Sequence, residues 1–127
     1  MNLRIDNKGR LILVELEILK IIGSHIGKDH AIPRAALLDT LIARGYPVSD
    51  RRMRDAINHL RMTTGDGAWI CSTQQGEGYF KAENVEELGA HLESERRRGK
   101  TILAKVSMQE KRAMPDLAGQ VDIQGGA

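Results

Sequence analysis

Residues 47–65 read PVSDRRMRDAINHLRMTTG, and the spacing of apolar residues in this stretch decides the fold. Four apolar side chains recur at intervals of three and four, which predicts a helix over residues 49–62 with one buried face: Met53, Ala56, Ile57 and Leu60. Ser49 is a favourable N-cap residue, and Gly65 predicts the stop. The same helix carries four arginines: Arg51, Arg52, Arg54 and Arg61. Whether those arginines are merely solvated or face a polyanion depends on the flanking elements.

The segments before this stretch predict two more helices. From residue 11 to about residue 26, apolar residues at intervals of three and four predict a broad buried stripe: Leu11, Val14, Ile18, Ile21, Ile22 and Ile26. The stretch KDHAI (28–32) could supply a short strand. Pro33 suits the first turn of a second helix that ends at Gly45. Its predicted buried side is Leu37, Leu38, Leu41 and Ile42.

The segments after this stretch predict a β-hairpin and a long helix. AWICST (68–73) and YFKA (79–82) are short, contain strand formers and flank the glycine-bearing QQGEG (74–78). Asn84 can cap the final helix. The predicted organisation is a flexible lead over 1–10, a folded domain over 11–83, a long helix over 84–113 and a disordered tail over 114–127.

The predicted order is helix, short strand, helix, turn, helix, hairpin and long helix, which is typical of a winged helix-turn-helix domain. The segments VSDRRMRDAINHLR and WICSTQQGEGYFKA resemble such domains. They are similar to the amino-terminal domain of biotin-ligase repressors and to small winged-helix proteins encoded in phage genomes. The expected fold class is mainly α with a small β-hairpin, as a winged helix-turn-helix followed by a long C-terminal helix.

The resemblance implies a DNA-binding protein acting in phage-like replication initiation or transcriptional regulation. On a helix with about 100° per residue, Arg51, Asp55 and Asn58 point away from Met53. Arginine and asparagine are the side chains best suited to guanine and adenine edges in the major groove. The predicted contacts with double-stranded DNA are Arg34, Ser49, Arg51, Arg52, Arg54, Asp55, Asn58, Arg61, Gln75 and Lys81. The alternative is a winged-helix protein-interaction module, such as a replication adaptor or a helicase-loader-type accessory protein.

The final helix leaves three interpretations open. Apolar residues with seven-residue character could form a homodimer through residues 85–106. A basic run could instead be a phosphate patch: Arg96, Arg97, Arg98 and Lys100. The third interpretation is a helix that packs its first turns on the domain and then extends into solvent.

Composition and spacing exclude other classes of protein. The chain has 127 residues, a formal net charge of +2 and one cysteine, which rules out an internal disulfide framework and fits the cytoplasm. The four histidines are scattered without zinc spacing, and no nucleophile and base can be paired. The sequence therefore predicts neither an enzyme nor a cofactor or metal site, and it predicts no membrane segment.

Overall fold

The computed structural model describes residues 7–113, except for the side chains of residues 7–12 and 75. Within this range the chain is mainly helical. The helices are α1 (Asn7–Ile22), α2 (Arg34–Ala43), α3 (Asp50–Thr63) and α4 (Val85–Ala113), and the strands are β1 (Ile32–Pro33), β2 (Ile70–Ser72) and β3 (Gly78–Lys81). The prediction of a mainly helical chain with a small hairpin and a long final helix is confirmed.

The sheet has one strand more than the predicted hairpin. β3 lies in the centre and pairs antiparallel with β2 on one side and with β1 on the other. Residues 28–30, part of the stretch expected to supply the short strand, instead form a single 3-10 turn. Pro33 was predicted in the first turn of α2, but it lies in β1 and caps α2 in an extended conformation. Because β1 is an edge strand, the missing N–H of this proline costs no sheet hydrogen bond.

The main core lies where three helices meet one face of the sheet. The four apolar residues predicted for α3 are all buried, as predicted. They pack with residues from α1, α2 and the sheet: Val14, Ile18, Ile21, Ile22, Leu37, Leu41, Ile32, Ile70 and Tyr79. Since nearly all of these side chains are aliphatic, shape and volume rather than aromatic stacking hold the domain together.

Two apolar residues predicted to be buried are exposed. α1 ends at Ile22, and Ile26 follows in extended backbone that forms an isolated parallel bridge with Lys81. The backbone N–H of Lys81 donates to the carbonyl of His25, and the N–H of Gly27 donates to the carbonyl of Lys81. These bonds hold the segment alongside β3 instead of in a helix. Ile42 is also exposed, because only one side of α2 faces the core.

The start of α1 and the end of α3 also differ from the prediction. α1 begins at Asn7, within the predicted lead, and residues 1–6 lie outside the described residues. Gly45 adopts a positive φ after α2, as a C-terminal glycine does, but Gly65 has no such role after α3. The critical glycine is Gly67, where an added Cβ would lie 2.1 Å from the carbonyl oxygen of Leu60.

The chain divides into two units after Gly89. In the first unit, the opening turns of α4 pack through Leu88 against a second small cluster that contains Cys71, Phe80 and Ala82. The predicted cap is confirmed, because the side-chain oxygen of Asn84 accepts the N–H of Glu87 at 2.8 Å. The predicted tail over 114–127 lies outside the described residues. Within residues 7–113 no helix is long and apolar enough to cross a membrane.

Candidate nucleic-acid interface

The outward face of α3 carries the arginines that the sequence placed there. Arg51, Asp55 and Asn58 are exposed and lie between about 140° and 160° from Met53 around the helix axis, on one side or the other. Arg52 is exposed on the flank. Among the described side chains and the backbone of residues 7–113, neither the Arg51 nor the Arg52 guanidinium has an ion-pair or hydrogen-bond partner. Both guanidinium groups therefore keep all their donors for an external partner.

The first turn of α3 is held by Ser49. Its hydroxyl oxygen accepts the N–H of Arg52 at 3.1 Å, so the predicted cap is confirmed. The hydroxyl proton is not used by this bond and can be donated to a phosphate oxygen. The positive end of the helix dipole lies at the same place, beside Arg51 and Arg52, and favours an anion there.

Two more predicted residues meet at the start of α3 through a shared carboxylate. Asp50 forms an ion pair with Arg34 at 3.2 Å through one oxygen and accepts a hydrogen bond from Arg54 at 2.9 Å on the other. All three side chains are more than a third exposed, so these pairs add little stability. Their effect is positional, because they fix two arginines on either side of the helix start. Together with Arg51, Arg52 and Asp55, four arginines face two aspartates, which leaves a surplus of two positive charges.

The loop between β2 and β3 lies beside this cluster. The carbonyl of Glu77 accepts the backbone N–H of Arg34 at 2.8 Å, which ties the end of the loop to the start of α2. A 3-10 turn over Gln74–Gly76 and a positive φ at Gly76 close the loop tightly. Gln75 lies in this turn, and its side chain is outside the described residues. Since the loop carries no basic residue and exposes Glu77, it offers neutral hydrogen bonds and one negative charge, and no positive charge for a phosphate.

Arg61 was predicted as a DNA contact, but it is used inside the fold. Its Nε–H donates to the carbonyl of Ile70 at 3.1 Å, and one terminal nitrogen donates to the Ser72 hydroxyl at 2.7 Å. The same guanidinium lies over the ring of Tyr79, 5.9 Å from its centroid. Burial raises the pKa of the Tyr79 hydroxyl, and Arg61 opposes that rise. Arg61 therefore joins α3 to the sheet, and we remove it from the candidate interface.

Lys81 is also separated from the arginine cluster. It lines a shallow cleft with Gly23, which follows α1, and with Asp66, which follows the end of α3. β3 runs from Gly78, beside the loop, to Lys81, a distance of roughly 10 Å. Lys81 thus lies beside Ile70 and Asp66, which follow the end of α3, and not at the loop that borders the arginine cluster.

A long-range pair that the sequence did not predict joins α3 to α1. Nδ1 of His59 lies 2.6 Å from a carboxylate oxygen of Glu15, which is itself buried. A second pair joins α2 to α1 through Arg44 and Glu17. Both pairs connect residues more than 25 positions apart, so no local spacing could have predicted them.

The predicted phosphate patch on α4 is partly neutralised along its own helix. Arg96 pairs with Glu93 at 2.9 Å, and Arg98 pairs with Glu95. Arg97 and Lys100 are exposed and form no ion pair within the described residues. This segment lies in the second unit.

Within residues 7–113, no group of three or more histidine, cysteine, aspartate or glutamate residues could hold a metal ion. Comparisons with protein-family models, with curated proteins and with solved structures found no match to this chain. The interpretation of the site therefore depends on the residues and their geometry.

Proposed function

We propose that this chain is a cytoplasmic winged-helix protein that binds double-stranded DNA, with the start of α3 in the major groove. The observation that carries the proposal is the pair Arg51 and Arg52, which are exposed and have no partner in the described chain, on a capped helix whose other face packs in the core. Arginine forks bind phosphate oxygens and guanine edges in two-point geometry, which an ammonium group cannot reproduce.

The neighbouring groups support a phosphate clamp around that helix. Arg34 and Arg54 flank its first turn, held in place by Asp50. Each guanidinium has five N–H donors, so a phosphate oxygen can bind the donors that Asp50 leaves free. The loop that ends at Glu77 borders the same cluster, as a wing does in a winged-helix domain. Asn58, about two turns after Arg51 on the outward face, is the residue suited to an adenine edge.

The role in the cell is proposed from the resemblance alone. Similarity to small phage-encoded winged-helix proteins supports a role in replication initiation or in transcriptional regulation. Selection of bound duplexes from a randomised pool would yield an enriched motif if binding is sequence-selective.

Fluorescence anisotropy with a labelled duplex at several salt concentrations tests the proposal. We expect steep salt dependence and a loss of affinity of at least about tenfold in the double variant Arg51→Ala with Arg52→Ala. The matched control is Lys20→Ala with Lys28→Ala, which removes two exposed positive charges from the same unit. If both double variants lose affinity equally, the binding is nonspecific attraction to net charge. If the wild type fails to bind at low salt, the proposal is wrong.

A further inference from the structure

The second half of α4 is strongly basic. Residues 96–113 contain seven positive residues and one negative residue, Glu110, and all seven positive side chains are exposed. Two of the seven pair with glutamates three positions earlier, Arg96 with Glu93 and Arg98 with Glu95. The side chains of the other five have no ion-pair or hydrogen-bond partner among the described residues: Arg97, Lys100, Lys105, Lys111 and Arg112.

The five unpaired cations share one side of the helix, which we call the basic face. At about 100° per residue, all five lie within about 80° of the direction opposite Gly99. Glu110 is about 20° from Gly99, so no acidic residue of 96–113 lies on the basic face. At about 1.5 Å per residue, the face is roughly 22 Å long from Arg97 to Arg112.

The length and charge of the basic face fit an extended polyanion better than a single anion. One phosphate group can contact only the cations within one or two helical turns. Duplex DNA carries a negative charge about every 1.7 Å along its axis, so phosphates can meet cations along the whole face. Arg97 and Lys100, three residues apart, repel each other in the free chain, and a bound anion offsets that repulsion.

The opposite side of α4 argues against an anionic membrane as the polyanion. An amphipathic helix binds a membrane surface by inserting its apolar side, which here contains Leu103 and Val106. Glu95 and Glu110 lie on that same side, about 40° and 20° from Gly99. Insertion would strip these carboxylates of water, which is unfavourable. A nucleic acid can contact the basic face alone and leaves both carboxylates hydrated.

We propose that the basic face of residues 97–112 binds the phosphate backbone of duplex DNA as a second surface of this chain. The assignment differs from the phosphate patch predicted over residues 96–100. Two residues of that patch are engaged by glutamates, whereas three unpaired cations follow it in the helix: Lys105, Lys111 and Arg112. Phosphate contacts carry no sequence information directly, so this surface adds affinity rather than selectivity. It does not depend on whether α3 binds DNA.

The salt dependence of duplex binding by the full chain, measured by fluorescence anisotropy, tests the proposal. Each phosphate contact that is lost lowers the slope of log affinity against log salt concentration by about 0.9. Lys105→Gln with Lys111→Gln should therefore lower the slope by about 2, and glutamine preserves the helix. The matched control is Lys20→Gln with Lys28→Gln, which removes two exposed lysines from the first unit. The control should change the slope by less than about 0.5.

These variants separate the basic face from the start of α3. An unchanged slope in Lys105→Gln with Lys111→Gln, or an equal change in the control, would overturn the proposal even if the Arg51 and Arg52 variant still loses affinity. If only the Arg51 and Arg52 variant leaves binding unchanged, the function proposed for α3 is wrong and the basic face stands. Sedimentation with vesicles of phosphatidylcholine and phosphatidylserine tests the membrane alternative. We expect little binding, and lysine-dependent binding as tight as that to the duplex would overturn the choice of DNA.

Discussion

The guanidinium of Arg61, near the end of α3, donates to the hydroxyl of Ser72 on β2 at 2.7 Å. A second donor of the same group bonds the carbonyl of Ile70 at 3.1 Å. The helix that projects Arg51 and Arg52 is thus attached at its far end to the strand that leads into the adjacent loop. One arginine of α3 therefore maintains the geometry of the candidate interface, while the others are available to contact a ligand.

This division of roles predicts that arginines of α3 differ in their effect on stability. Arg61→Ala should lower the free energy of unfolding by about 1–3 kcal/mol, because two hydrogen bonds from a charged donor are lost and the Ile70 carbonyl loses that donor. Arg51→Ala should change it by less than about 0.5 kcal/mol, since its side chain is exposed. Urea unfolding followed by circular dichroism measures both. Equal losses for the two variants would contradict the assignment.

Gly67 is predicted to be required for the junction between α3 and β2. An added Cβ would lie 2.1 Å from the oxygen and 2.4 Å from the carbon of the Leu60 carbonyl, both backbone atoms that cannot move easily. Gly67→Ala should therefore cost about 3 kcal/mol or more. Gly65→Ala is the control, because nothing lies within 4 Å of its added Cβ and its φ is not positive. In thermal unfolding, the midpoint temperature of Gly67→Ala should be clearly lower than that of Gly65→Ala. Similar midpoint temperatures would contradict the prediction.

Ser49 allows capping to be separated from DNA contact. Ser49→Ala should destabilise the protein by about 1 kcal/mol, because the N–H of Arg52 loses its acceptor. Ser49→Asp preserves an acceptor for that N–H and should retain stability. Its added negative charge should nevertheless weaken duplex binding if the start of α3 approaches phosphates. Unchanged affinity in Ser49→Asp would indicate that DNA lies elsewhere.

Alkaline pH should destabilise the fold through Cys71. Burial raises the pKa of this thiol from 9.0 to about 11, with Arg61 opposing the rise and Glu87 adding to it. Between these values the folded protein binds more protons than the unfolded chain, so stability falls as pH rises from about 9 to 11. The expected contribution is up to about 2–3 kcal/mol. Urea unfolding measures the free energy of unfolding at pH 8 and at pH 10.5. This free energy should fall less between the two pH values in Cys71→Ala than in the wild type. An identical fall in both proteins would contradict the role of Cys71.

The sequence predicts local features of this protein better than distant ones. The buried face of α3, the Ser49 and Asn84 caps and the hairpin follow from spacing and capping chemistry within a few residues. The pairing of β1 with β3 does not, because Ile32 and Tyr79 are far apart in the chain. Ile26 was wrongly assigned to the core because bonds between residues 25–27 and Lys81 end the helical pattern early.

In the candidate site, too, the sequence predicts contacts between near neighbours in the chain but not contacts between distant residues. The spacing of Asp50 and Arg54 predicts their pairing on one helix, and the structure contains it. Arg34 joins that pair only because α2 and α3 bring their first turns together. Arg61 looked equivalent to its neighbours, since the sequence could not show that Ile70 and Ser72 lie within reach of its donors.

An NMR titration of the isotopically labelled full chain with a short duplex tests the central claim most directly. Backbone amides and arginine side-chain resonances would be followed at low salt. We predict that the largest changes occur over residues 49–58 and at Arg34, and that Arg61 and Lys81 change little. Changes confined to residues 90–113, or no changes at all, would contradict the claim that the start of α3 is the DNA-binding surface.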